Sequence, residues 1–460
     1  MTPTPGRSWR RDVGAAPGRR ARAGAGASLR GVVSRLLPRA RRAVLALSAG
    51  ALVLAAAGTS AAQSNPVDRT IDAFAARNPT TSALVQRVDA NGAITVASWR
   101  PDTALAPAST MKIITSAAAL LTVGPDFRFT TRLESGRDTR GPGGVVSGPA
   151  YLIGAGDPML ATRAYSRRSL DGLGTSLDDL ARDVREQGVK RITGGIVVDE
   201  TLFDRKRMGP RWKSSYRYEC PPLSGIATNQ NRANSGSNVS SPAISAGQRM
   251  VAALRRAGVR VSGGVRTGRD VPGGDVIGQV RSERLERVLD FMNAHSDNFT
   301  AETLTKDVGA YAAGRGTTAA GTREAEELLR RRGILTTSDD FVDGSGLSHS
   351  NRVSASTLVG VLRDAEADPS WGDALVGSLP RGGEGTLIRR LKGPAVRKRV
   401  RAKTGYINGV ASLAGTVTSR SGARYAFAFL MNTSDISGAQ KAMDRAVTLL
   451  ATGRADGVTG

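Results

Sequence analysis

Ser109-Thr110-Met111-Lys112 places a hydroxyl and an amine three residues apart, which on a helix means one face and side-chain reach. Serine alone is a weak nucleophile. A neighbouring lysine takes its proton when burial and nearby positive charge hold the amine neutral. The N–H groups at a helix N-terminus suit a developing oxyanion, so the chemistry on offer is acyl transfer through a serine ester. The same spacing arises where a serine merely caps a helix and the lysine faces solvent, so the pair needs partners. Two further triplets stand downstream, Ser296-Asp297-Asn298 and Lys403-Thr404-Gly405. Alone, the first reads equally as a helix cap or turn and the second as a strand end.

Local pattern supplies the elements that would hold these residues. Residues 82–88 and 93–97 read as two strands joined by Asp89-Ala90-Asn91-Gly92, where Asn-Gly is a hairpin signal. After Pro107, residues 109–123 are rich in Ala and Leu and stop at Gly124-Pro125, the pattern of a buried helix with a hydroxyl near its start. From 127 to 281 the texture changes to short β-like pieces, such as 150–153 and 195–198, between Gly, Pro and Asp. Helical pattern returns over 285–308, which contains Ser296-Asp297-Asn298, and over 322–332, where Glu326 with Arg330 and Glu327 with Arg331 are spaced as i,i+4 pairs. Residues 400–406, 411–419 and 424–431 read as three consecutive antiparallel strands, the first carrying Lys403-Thr404-Gly405. A helix over 438–450 follows, and the tail from Gly453 is expected to fray.

In this order and these contexts the three motifs resemble the signature of penicillin-binding proteins and class A β-lactamases. The chain is similar to the D-alanyl-D-alanine carboxypeptidase and endopeptidase group, the class C type of low-molecular-mass penicillin-binding protein (peptidase family S13). Pro107-Ala108 ahead of Ser109, Gly156-Asp157-Pro158, Gly195-Ile196-Val197-Val198-Asp199, Asp343-Gly344-Ser345-Gly346-Leu347-Ser348 and Gly385-Thr386-Leu387 also fall in the order of that group. The resemblance implies an α+β transpeptidase-like fold, an antiparallel sheet with helices on both faces, with a mostly β inserted domain. The division it implies is a catalytic domain of residues 63–126 plus 282–453, an insert of 127–281, and a tail of 454–460.

Carried over residue by residue, the resemblance makes Ser109 the acylated nucleophile and Lys112 its proton acceptor. Ser296 relays a proton to the leaving group, Asn298 holds the substrate amide, Lys403 supplies positive charge, and Thr404 bonds the terminal carboxylate. The oxyanion hole is the backbone N–H of Ser109 and of Tyr406, the residue after Gly405. Peptidoglycan stem peptides are the implied substrate and β-lactam antibiotics covalent inhibitors; no cofactor is implied. Tyr406 stands where the group often has a small hydroxyl residue, and His295, where it often has a basic one, is expected at the surface or behind the site. The stretch between Lys112 and Ser296 is shorter than in the largest members, which implies a reduced or missing subdomain.

A chain of 460 residues is long enough for two or three units. Its net charge of +25 is unevenly placed, because residues 1–42 hold eleven Arg against the single Asp12, a net +10. Basic runs such as Lys392 to Lys403 lack interleaved aromatics, and aromatics make up only 4% of the chain, which argues against nucleic acid. A cationic surface suits an anionic polymer such as cell wall. The apolar run 43–58 follows Arg41-Arg42 and precedes Ser60-Ala61-Ala62. It is shorter than a spanning helix needs, so residues 1–62 are expected to be a basic leader and signal peptide cleaved after Ala62, with export from the cytoplasm. Retention of that segment would be the chain's one attachment to a membrane. The single cysteine, Cys220, excludes an intrachain disulfide and reads as a small buried residue, while two histidines without a cysteine partner exclude a typical zinc cage.

Two other readings fit the motifs. A serine β-lactamase would need a deacylating base, usually in a Glu-x-x-Leu-Asn loop; the nearest string, Glu326-Glu327-Leu328-Leu329-Arg330, lacks the Asn and falls in a helical pattern. A non-catalytic wall-binding scaffold would not need every expected catalytic position filled, as they are here.

Overall fold

Strands that are apolar almost throughout, such as Val410–Thr418 and Arg424–Met431, fit only where both sheet faces are covered. They lie inside a five-stranded antiparallel sheet ordered Val400–Ile407, Val410–Thr418, Arg424–Met431, Thr81–Asp89, Gly92–Trp99. All five strands fall within two residues of their expected bounds. The computed structural model describes residues 65–89, 92–270 and 273–458. The leader, the apolar run 43–58 and the Ala90-Asn91 turn therefore lie outside the described residues.

Among the described residues are helices α1 (Pro66–Ala75), α2 (Met111–Val123), α3 (Arg163–Ser169), α4 (Leu177–Glu186), α5 (Pro242–Arg256), α6 (Leu285–His295), α7 (Asn298–Ala313), α8 (Thr318–Arg331), α9 (Ala355–Ala367), α10 (Pro369–Ser378) and α11 (Ile436–Ala451). α1 and α11 cover one face of the sheet, setting Ile71, Phe74, Met443 and Val447 against Val85, Phe427 and Phe429. The other face presents Leu84, Ala414, Ala426, Ala428 and Leu430 to α9 and the helices around α2. Residues 111–120 of α2 are all buried, because α6, α7, α8, α9 and α10 surround the helix. This explains its apolar run of small residues.

A second sheet is built from strands between residues 130 and 281, ordered Val265–Thr267, Ile196–Asp199, Ala150–Ile153, Thr130–Ser135, Val276–Arg281. The first three strands run parallel and the last two add antiparallel. α4 and α5 pack on this sheet. At Gly247 of α5 a Cβ would stand 2.4 Å from Val265 Cγ1, so glycine is what lets the helix lie this close.

Several elements differ from expectation. The segment read as short β pieces also carries α3, α4 and α5; Ser176 caps α4 by accepting the Asp179 N–H, and Pro242 opens α5. The continuous helix expected over 285–308 is broken. Ser296 adopts φ 56° and ends α6, and the Asp297 carboxylate accepts the Thr300 N–H to begin α7. Glu326 does not pair with Arg330: it accepts the Phe341 N–H at 2.8 Å, while Glu327 takes both Arg330 and Arg331. Residues 453–458 are fixed rather than frayed. Ala455 is buried, and Asp456 accepts hydrogen bonds from Tyr425 Oη at 2.6 Å and Ser419 Oγ at 3.0 Å. Arg87 also donates to the carbonyls of Asp456 and Val458 at 3.0 and 2.8 Å.

Candidate active site

Ser109 sits in a 3-10 turn, Ala108–Thr110, that feeds directly into α2. Ala108 adopts φ 47°, a left-handed conformation that costs a non-glycine residue roughly 1 kcal/mol. Its neighbours hold it there. The Pro107 carbonyl accepts Thr110 Oγ1 at 2.7 Å and Ser412 Oγ at 2.6 Å. A Cβ on Gly346 would lie 1.8 Å from the Ala108 carbonyl oxygen. One on Gly405 would lie 2.8 Å from the Pro107 oxygen and 2.9 Å from the Ser109 nitrogen. Two glycines thus let a loop and a sheet edge close on the serine.

Lys112 is fully buried one turn into the helix. Its Nζ donates to Ser109 Oγ at 3.1 Å, Asn298 Oδ1 at 2.8 Å and the Ser345 carbonyl at 2.8 Å. Burial pushes its pKa down to about 8, while the carboxylates of Asp297, Glu302 and Asp343 pull upward. Desolvation, not a neighbouring cation, is therefore the main cause of the shift. At pH 7 about one such amine in ten is neutral, against about one in three thousand for an ordinary lysine.

Ser296 and Asn298 are brought to the same place by the break between α6 and α7. Lys403, buried on its strand, donates to Ser296 Oγ at 3.0 Å and to the Thr404 carbonyl at 2.9 Å. Burial, then the charge of Lys112, holds the Lys403 pKa well below the usual lysine range. Thr404 Oγ1 donates to Thr386 Oγ1 at 2.8 Å, which ties the strand to the Gly385-Thr386-Leu387 turn. Gly405 backs onto Ser109, and Tyr406 is 63% exposed at the rim. Ser109, Lys112, Ser296, Asn298, Lys403, Thr404, Gly405 and Tyr406 thus come together from three distant stretches of chain.

Other residues of the site had no role in the sequence reading. The Ser345 carbonyl that receives Lys112 is a backbone group, which no side chain announces. Glu302 and Asp343 tie down the loop carrying it, and only Asp343 stood in a quoted motif. Segments before Ser296 also reach in: Trp212 Nε1 donates to Asp343 Oδ2 at 2.7 Å, and Gln230 Nε2 donates to Asp297 Oδ1 at 3.0 Å. Asn298 Nδ2 rests on the Glu219 carbonyl at 3.3 Å. His295 lies at the surface against Asp171, and Cys220 is buried with its thiol pKa pushed well up by desolvation.

The chain and its fold have counterparts among known proteins. A model of the family described as D-Ala-D-Ala carboxypeptidase 3 (S13) matches residues 67–234 and 223–452. The D-alanyl-D-alanine carboxypeptidase of Actinomadura sp. (strain R39) is 30% identical over 410 residues, spanning 71% of this chain and 73% of that protein. Carboxypeptidase DacB of Mycolicibacterium smegmatis is 35% identical over 347 residues, 72% of each. The crystal structure of penicillin binding protein 4 (dacB) from Haemophilus influenzae shares the fold at a TM-score of 0.69 and 22% identity, over 83% of this chain and 98% of that one.

Proposed function

Since the chain belongs to the D-Ala-D-Ala carboxypeptidase 3 (S13) family, we propose that it is a serine-type D-Ala-D-Ala carboxypeptidase acting on peptidoglycan stem peptides. In this reading β-lactams acylate Ser109, and D,D-endopeptidase cleavage of cross-links shares the same acyl-enzyme. The observation that carries it is the buried Lys112 amine, depressed in pKa and 3.1 Å from Ser109 Oγ.

Neutral Lys112 accepts the Ser109 hydroxyl proton as Oγ attacks the carbonyl carbon of the penultimate D-Ala. The Ser109 and Tyr406 N–H groups receive the oxyanion, and Asn298 Nδ2, weakly held on Glu219, turns to the substrate amide. The C–N bond then breaks. Lys403 donates a hydrogen bond to Ser296 Oγ. Ser296 passes its proton to the departing amine and is reprotonated by the Lys112 ammonium, which returns that lysine to its neutral form. Thr404 bonds the terminal carboxylate. Water, deprotonated by the same lysine, then cleaves the ester and frees Ser109.

Residues 63–126 with 282–453 are read as the catalytic domain and 127–281 as the insert. The second sheet, made wholly of strands between 130 and 281, supports this division. Acting on peptidoglycan places the enzyme outside the cytoplasm, and the basic and apolar leader 1–62 is read as its export signal.

Labelling with a fluorescent penicillin tests the reading. A lasting adduct on the intact protein, lost in Ser109→Ala, is the expected result. An adduct that turns over within seconds marks a β-lactamase, and no adduct at all marks a scaffold.

A further inference from the structure

We infer that Glu302 is a positioning residue for acylation: its buried carboxyl fixes the Gly344-Ser345 backbone, so that the Ser345 carbonyl turns the Lys112 amine toward the Ser109 hydroxyl. The inference rests on Lys112 being the base.

Glu302 stands one helical turn after Asn298, so the two share a face of α7. It is completely buried, where an apolar residue would cost less. Its Oε1 accepts the N–H groups of Gly344 at 3.1 Å and Ser345 at 2.8 Å, while its Oε2 has no hydrogen-bond partner among the described residues. The bonded oxygen orients two successive peptide units, those that carry the Gly344 and Ser345 N–H groups.

The second of these units is also held from α2. Thr115 Oγ1 on α2 donates to the Gly344 carbonyl at 2.7 Å. A Cβ on Gly344 would meet Thr305 Oγ1 at 1.7 Å, so the backbone lies flat against α7. Asp343 secures the rest of the loop through the N–H groups of Gly346 and Ser348 and through Asn351 Nδ2. With Glu302 holding the two peptide units before it and Asp343 the Gly346 N–H of its own unit, the Ser345 carbonyl is directed at Lys112.

The geometry matters because a deprotonated lysine has two N–H bonds and one lone pair. The two acceptors at 2.8 Å, Asn298 Oδ1 and the Ser345 carbonyl, take both N–H bonds. The lone pair is left facing Ser109 Oγ at 3.1 Å, where it accepts the hydroxyl proton. α7 thus sets both acceptors, Asn298 directly and Ser345 through Glu302. Without the second, the amine rotates and its lone pair leaves the serine.

Acylation by fluorescent penicillin, resolved into a dissociation constant and a first-order step, tests this on the full chain. Glu302→Ala should slow the first-order step tenfold or more and leave the dissociation constant within threefold. Glu302→Gln, which keeps the acceptor, should recover most of the loss. If Glu302→Ala does not fold, Glu302→Asp takes its place, since it keeps the carboxyl but withdraws the acceptor by one methylene, and should be slowed comparably. A normal first-order step in folded Glu302→Ala or Glu302→Asp, with Lys112→Ala slow, overturns the inference alone. Normal labelling of Lys112→Ala overturns the base role and the inference with it.

Discussion

Lys403 Nζ donates to Ser296 Oγ at 3.0 Å, joining the sheet to the break between two helices across 107 residues of chain. Lys112 reaches Ser109 from within its own helix, so the site holds two hydroxyl–amine pairs, and the charge of Lys112 adds to burial in lowering the Lys403 pKa. In the proposed mechanism one pair makes the ester bond and the other serves the leaving group. Ser296→Ala is expected to lower peptide hydrolysis on the order of a hundredfold, the usual worth of a proton-transfer group, while leaving the fold intact. Steady-state cleavage of a D-Ala-D-Ala peptide beside a thermal melt checks this. Unchanged turnover would remove Ser296 from the proton path.

The first-order acylation rate should follow deprotonation of Lys112. Its pKa is about 8, so between pH 5 and 7 the rate rises close to tenfold per unit and levels above pH 8. Asp297 and Asp343 oppose the effect of burial, as does Glu302 once ionised, its own pKa being pushed up to about 8 by burial; the Lys112 charge in turn lowers the Lys403 pKa. A rate flat from pH 5 to 9 would show that the lysine takes no proton. The folded-state pKa lies below the unfolded value, so the unfolded chain binds the extra proton between about pH 8 and 10.5. Lys112 therefore destabilises the fold below that window, and the penalty fades as pH rises through it.

Gly346→Ala is expected to damage site and stability together. The position has φ 82°, and the new methyl would lie 1.8 Å from the Ala108 carbonyl just before Ser109. The loop must retreat, at a cost of about 2–4 kcal/mol, and penicillin labelling should drop at least tenfold in the fraction that remains folded. Wild-type labelling would mean that the loop does not support the serine turn.

Asp456→Ala should separate the two effects. It leaves the Tyr425 hydroxyl without its 2.6 Å acceptor and frees Ser419, costing about 1–3 kcal/mol. Denaturant unfolding reads that loss. Acylation of the folded protein should be unchanged, because α1, α11 and the tail pack on the sheet face opposite the helices around α2. A labelling defect in folded protein would connect the tail to the site.

How much of this was legible in the sequence depended on whether a feature leaves a local trace. The strands from Val400 to Met431 announce themselves through runs of apolar residues between short turns, and α2 through its Ala and Leu content. The three motifs were legible as a set because each carries side chains with distinctive chemistry. The break at Ser296 was not, since helical periodicity continues through it while one residue turns left-handed. The tail read as loose because its anchors, Arg87, Ser419 and Tyr425, lie far away in the chain. Glu302 is an ordinary helical residue until the Gly344-Ser345 backbone is seen against it.

The sheet brings a different constraint. Thr81–Asp89, formed by residues that precede the serine, pairs along its length with Arg424–Met431, with Thr81 opposite Met431. A chain made from its N-terminus carries that early strand with one edge open until almost the whole polypeptide has been synthesised. Only then is the platform under Lys403-Thr404-Gly405 complete, and only then can Gly405 close on Ser109. Such long-range pairing folds slowly. Until then the serine turn lacks the strand that closes on it, so the acylation proposed for Ser109 waits on the C-terminal strands.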